Sequence, residues 1–183
     1  MSSVNLPPLP PVGGGTSGRS VLDVLREQHR ELLALCDRAG DDRRAADVLV
    51  AVLSRHLSAE EQYLYPAIRR AVPGGEELAA RELAEDKRLL IMLKSGRIGH
   101  DEIRRHVRAD EDELFGLLAE MVSMEDLIRL GNRVETAEEA APTRPHPGTP
   151  STPPWNKVVD PAVAVVDKLR DLVTGRTTYY SDL

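Results

Sequence analysis

Four stretches of this chain carry apolar residues three and four apart, and each stripe is broken near its middle by a histidine or a carboxylate. That spacing places each set on one face of an α-helix. The first stripe runs Leu22, Leu25, His29, Leu32 and Cys36, and the second runs Leu49, Val52 or Leu53, His56, Glu60 and Leu64. The third is Leu78, Glu82, Asp86, Leu89 and Leu93; the fourth is Ile103, His106, Asp110, Leu114, Leu117 and Met121. Breakers at Gly40-Asp41-Asp42, Pro73-Gly74-Gly75 and 95–99 divide the segments into roughly 20–38, 43–72, 76–94 and 101–122. Ser20 with Asp23 caps the first helix, and Asp101 can cap the fourth. Connections this short make successive helices antiparallel neighbours. The expected fold is all-α, an up-down-up-down antiparallel four-helix bundle over 20–122.

The polar interruptions also agree in height. Counted from the turns at 1.5 Å per residue, those on neighbouring helices differ by about one turn or less, so side chains from four helices converge at mid-bundle. Taken singly, His29 reads as a satisfied core histidine, and Glu61, Glu85, Glu111 and Glu113 as solvated charges. The constellation reads differently because burial has a cost. Glu60, Glu82, Asp86 and Asp110 would carry negative charge into a low-dielectric interior, where each unpaired carboxylate costs at least several kcal/mol. Three protonated histidines would nearly balance that charge as an ion network. Two divalent cations would balance it fully and use the oxygens as ligands. The His56–Glu60 and His106–Asp110 pairs are both i, i+4, so each can close on one ion from consecutive turns, and that spacing favours metal.

Proline marks the flanks of this body: of 13 prolines, four fall in the first 11 residues and seven between Pro142 and Pro161. Residues 1–19 read as a disordered Pro/Gly-rich leader. Ser123 with Asp126 opens a fifth helix, so 123–141 forms a further element, and 142–160 reads as an extended Pro-rich arm. Asp160-Pro161 supplies a cap and first residue for a last helix of about 161–173, within a terminal unit of 161–183. Its stripe of Ala162, Val165, Val166, Leu169 and Leu172 is expected to dock on the bundle or on a second subunit, so a homodimer is one expected partner.

Composition excludes several classes. With 24 basic and 30 acidic residues the chain carries −6, which recommends neither nucleic acid nor an anionic membrane as partner. No apolar run approaches a membrane span. The single cysteine, Cys36, and a start without a basic, apolar leader lead to the expectation of a reduced, cytoplasmic protein.

These residues resemble the hemerythrin-like, HHE cation-binding family over about 20–122. The motif H-L-S-A-E-E-Q-Y-L-Y-P at 56–66 is echoed by H-V-R-A-D-E-D-E-L-F-G at 106–116, with E-Q-H at 27–29. The resemblance implies a four-helix bundle holding two iron ions, a non-haem di-iron centre with an oxo or hydroxo bridge, that reacts with O2, peroxide or nitric oxide. It carries over His29, His56, Glu60, His106 and Asp110 as metal ligands. The family commonly places a histidine on the third helix, and this chain has none between 57 and 99. Asp86 falls on the stripe there and stands as the substitute, with Glu82 as a second candidate. Asp110 stands where the family often has Glu, which leaves Glu111 as an alternative for its role. The region after 123 resembles an extension in actinobacterial members of the family. The implied role is small-molecule binding or reduction in stress defence or sensing. Rival readings are an iron store or sensor without catalysis, and a metal-free helical interaction module.

Overall fold

The computed structural model describes residues 15–97, 99–148 and 155–183, without the side chains of 155–162, 169 and 182. The expectations for 1–14, for 149–154 and for the Ala162 and Leu169 side chains lie outside the described residues.

The first helix, α1, spans Val21–Ala39 and starts at Ser20, whose Oγ accepts from the Asp23 N–H at 3.2 Å. Helix α2, Arg43–Ala59, is capped by Asp42, which accepts from the N–H groups of Arg44 and Ala45 at 2.9 and 3.3 Å. The expected second helix continues to residue 71, but not as regular α-helix. A wide π-helical turn, Glu60–Leu64, separates α2 from α3, Tyr65–Ala71. Pro66 follows that turn; in a regular helix its ring would press on the carbonyl one turn back, and the wider turn relieves this. Gly74 then takes φ 71°, and α4 runs Gly75–Lys94. A Cβ on Gly75 would lie 2.1 Å from the Ile68 carbonyl oxygen, so only glycine lets α4 start against α3.

The fourth rod repeats the pattern of the second: α5, His100–Ala109, a π-helical turn Asp110–Leu114, and α6, Phe115–Met121. Gly99, rather than Asp101, stands at the N-cap, and no side chain caps this helix. Helix α7, Met124–Glu139, is capped by Ser123 and lies along α1 and α2, burying Leu127, Leu130 and Val134. A Cβ at Gly131 would meet the Arg19 carbonyl oxygen at 2.3 Å, which sets how closely α7 packs on the start of α1.

Two apolar layers hold these rods together. One gathers Leu22, Leu25, Leu64, Ile68, Phe115 and Leu118; the other gathers Leu32, Leu35, Leu53, Leu57, Leu89 and Ile103. Along α1 the first layer precedes His29 and the second follows it, and along the second rod the layers change over between Leu57 and Ala59. The polar residues therefore occupy a slab between two oil-like layers.

The last helix, α8, runs Trp155–Thr174 and so begins before the Asp160-Pro161 pair taken from the sequence as its start. Of the two dockings expected for its apolar stripe, packing on the bundle is not observed. Val165, Val166, Leu172 and Val173 are exposed, while Ala164, Asp167 and Asp171 are buried. Asp167 accepts from the Arg144 N–H at 3.1 Å and meets His146 at 2.9 Å. Asp171 pairs with Arg144 and Arg176 and accepts from the Thr143 hydroxyl. The helix is held by charge-assisted hydrogen bonds on its polar side, which leaves its apolar side free of the bundle. No helix among the described residues is long and apolar enough to cross a membrane.

Candidate metal centre

Four rods each deliver a polar side chain to the slab: α1 gives His29, α2 and its π turn give His56 and Glu60, α4 gives Asp86, and α5 with its π turn gives His106 and Asp110. All six are buried. Ligand-type atoms of His29, His56, Glu60, His106 and Asp110 lie within 4.8 Å of one another. His56 Nε2 is 3.3 Å from Glu60, and His106 Nε2 is 3.5 Å from both Glu60 and Asp110. His29 Nε2 lies 3.6 Å from Asp110. The His56 and His106 Nε2 atoms face each other at 3.2 Å.

Two of the outer ring nitrogens have hydrogen-bond partners, and the third, on His106, has a charge contact alone. Gln28 Oε1 lies 2.8 Å from His56 Nδ1, and Glu111 lies 2.9 Å from His29 Nδ1. Asp86 Oδ1 lies 3.2 Å from His106 Nδ1, and its other oxygen accepts from the Tyr65 hydroxyl at 2.5 Å. On His29 and His56 the Nδ1 partner fixes the tautomer and leaves Nε2 with a lone pair pointing inward. Gln28 is itself held by Glu138 of α7, to which its amide donates at 2.7 Å. Phe115 stacks on the His29 ring and closes one side.

Of the eight residues singled out in the sequence, five form the inner group. Asp86 stands behind His106, and Glu111 stands behind His29 rather than in place of Asp110. Glu82 is buried but paired with Arg81 at 2.7 Å, outside the group. Gln28, Tyr65 and Glu138 were not singled out in the sequence. Gln28 had one signal, its place beside His29 in E-Q-H. Tyr65 had only its place in the 56–66 motif and none from helical period, because at five residues from Glu60 it falls off the face of a regular helix.

The charges of the protein groups alone show how strained this slab is. Burial, with His29 and His106 nearby, holds the His56 imidazole neutral, well below its ordinary range. Burial, with Asp110 and Asp86 adjacent, pushes Glu60 well up. Burial by itself would lower His106, but Asp110 and Asp86 more than offset it and raise it to about 9. Asp110 is lowered: burial opposes this, and His106 overcomes it. Burial raises Asp86 despite His106, and raises the Tyr65 hydroxyl well up.

Several atoms in the slab have no hydrogen-bond partner at all among the described residues. His29 Nε2, Glu60 Oε1, both Asp110 oxygens, Asp86 Oδ1 and His106 Nδ1 are buried and without a hydrogen bond. Buried polar atoms left this way are costly. Two inward-facing imidazole nitrogens at 3.2 Å, together with these orphaned oxygens, are a donor set for a cation: nitrogen and hard oxygen atoms suited to iron or another first-row metal.

The family model for the hemerythrin HHE cation binding domain matches residues 20–172, which takes in α7 and most of α8 as well as the four rods. An uncharacterized hemerythrin-like protein of Schizosaccharomyces pombe is 25% identical over 136 residues, covering 66% of this chain and 67% of that protein. No solved structure matches the chain. With more than four fifths of its length inside that match, the chain belongs to the hemerythrin HHE cation-binding domain family.

Proposed function

We propose that this chain holds two iron ions through His29, His56, Glu60, His106 and Asp110, and binds or reduces O2, peroxide or nitric oxide there. The observation that carries this reading is the set of orphaned buried atoms, His29 Nε2, Glu60 Oε1 and both Asp110 oxygens, gathered with the facing His56 and His106 nitrogens. When bound, the iron supplies redox and Lewis-acid chemistry toward the small molecule.

The protein's own part is to hold, orient and screen. Gln28 and Glu111 engage the Nδ1 atoms of His56 and His29 and keep those rings turned inward, while the Asp86 carboxylate sets a charge 3.2 Å from His106 Nδ1. Tyr65 keeps its proton, because burial and Asp86 raise its pKa, and so it stays a donor beside Asp86 and Glu60. The two apolar layers exclude bulk water above and below. A cleft of about 590 Å³ between α4 and α5 reaches Glu82, Asp86 and His106, and it offers a small molecule a way in from one side. Arg81 spans its mouth, paired with Glu82 on α4 and with Glu113 on the second π turn. An open side favours a reactive centre over a sealed structural one.

The test is iron analysis of untagged protein together with an optical spectrum. About two irons per chain are expected, with occupancy falling in His56→Ala and Glu60→Ala. Equal melting temperatures for chelated and iron-loaded protein would overturn the reading.

A further inference from the structure

A second cleft, of about 870 Å³, opens at the end of the bundle where α2 begins and α4 ends. Its walls are completed by residues 144–146 and the C-terminal end of α8. Asp47 on this wall and His56 share α2, nine residues or about 14 Å apart along the axis, so this is not the entrance to the metal centre. Arg43, Arg44, Lys94, Arg144, Arg170 and Arg176 all line it, against one lining carboxylate, Asp47.

Three of these cations are bonded into the fold, Arg44 by donating to the Thr177 hydroxyl at 3.5 Å. Arg144 pairs with Asp171 at 2.5 Å, and Arg176 reaches Asp171 and Asp47 at 3.4 and 3.3 Å. Arg176 also donates to the carbonyls of Thr143 and Asp47 at 3.0 and 2.9 Å. These bonds pin the arm and α8 to α2 and make the cleft a built concavity. Even so, Arg144 Nε is buried with no hydrogen-bond partner among the described residues. Arg43, Lys94 and Arg170 have no ion pair among the described residues, although the chain as a whole carries −6. Like charges gathered in a concave wall repel one another and focus a positive potential into the space between them. None of Arg43, Lys94 and Arg170 has a carboxylate to meet among the described residues; an anion in the cleft would supply that partner.

We propose that this cleft binds a small molecule carrying two or more phosphate groups. The planar, forked guanidinium matches phosphate oxygens two at a time, and five of the six lining cations are arginine. The volume lies within the range of small-molecule sites, about 300–1,000 Å³. These six cations line a concavity on a chain that carries −6 overall, which suits a compact anion better than a nucleic-acid backbone.

Isothermal titration of pyrophosphate and of ATP into the full iron-loaded chain tests this, with iron content measured before and after because both probes chelate metal. Saturable, salt-sensitive binding is expected, and it should persist in His56→Ala. Arg43→Ala with Arg170→Ala, both exposed side chains, should weaken it at least about tenfold; Lys94→Ala gives an independent arm, and Arg88→Ala, outside the cleft, should change nothing. No saturable binding of either probe would overturn the proposal. So would loss of binding in His56→Ala, which would place the probe at the metal centre, equal loss in Arg88→Ala, or tighter binding of a single-stranded oligonucleotide than of ATP.

Discussion

Asp86 meets His106 at 3.2 Å, oxygen to Nδ1, on the ring nitrogen that does not face Glu60. The third rod, which has no histidine, thus contributes a carboxylate that braces the histidine of the fourth, and Tyr65 braces the carboxylate in turn.

Removing that brace should be felt at the metal. Asp86→Ala removes the charge beside His106 Nδ1 and leaves the Tyr65 hydroxyl with Glu60 at 3.5 Å in place of its shorter bond, and metal affinity should fall about ten- to hundred-fold. Lys87→Ala, at the exposed neighbouring position, should leave both affinity and melting temperature unchanged. Asp86→His should retain two-metal binding. Metal content after competition with a chelator reads all three, and a greater loss in Lys87→Ala would show that the helical phase assigned to α4 is wrong.

Gln28 links the centre to α7 by accepting from His56 and donating to Glu138. Gln28→Ala frees the imidazole to rotate and to change tautomer, so metal affinity should drop at least about tenfold. Gln28→Glu keeps an acceptor for His56 and should recover part of the loss. Chelator titrations that superimpose for wild type and Gln28→Ala would show that His56 needs no such support.

Glu138 should make stability depend on pH. Burial raises its pKa from 4.5 to about 8, with Arg55 opposing. The folded chain therefore holds this proton more tightly than the unfolded one. The stabilisation is complete below about 4.5 and is lost as pH climbs toward 8. Glu138→Gln cannot lose that proton. Its melting temperature should gain on wild type between pH 5 and 8, and parallel melting curves across that window would contradict the assignment.

Oxygen chemistry should favour reduction over carriage. Glu60, Asp110 and Asp86 surround three histidines, and anionic oxygen near iron favours Fe(III) where screening is weak. Reduced, iron-loaded protein should oxidise in air and stay oxidised when oxygen is withdrawn. A stable spectrum that disappears on removing oxygen, over repeated anaerobic cycles, would identify a reversible carrier instead.

The five residues of the inner group were legible in the sequence because a 3.6-residue period places His29, His56, Glu60, His106 and Asp110 on apolar faces, and equal loop offsets place them at one height. The same period hid other features. It assumes an unbroken helix through 60–64 and 110–114, so it put Tyr65 off the face that in fact holds Glu60. On α8 it found the apolar stripe but not its direction. That was decided by Asp167 and Asp171 meeting Arg144, His146 and Arg176, contacts that periodicity within one helix does not encode.

The two π turns have a consequence for what lengths of chain this protein tolerates. Each amounts to one residue more than a regular helix would use, inserted directly after the pairs His56–Glu60 and His106–Asp110. Deleting Glu61 would let the rod relax into an ordinary α-helix with better local hydrogen bonding. Because the wide turn absorbs its extra residue locally, Tyr65 would stand four residues from Glu60, keeping its place beside Asp86, and Ile68 would keep its place in the apolar layer. A residue can thus be lost at either π turn with its effect confined to that turn, whereas the same loss from a regular stretch of these helices would rotate everything beyond it by about 100° and dismantle the interior.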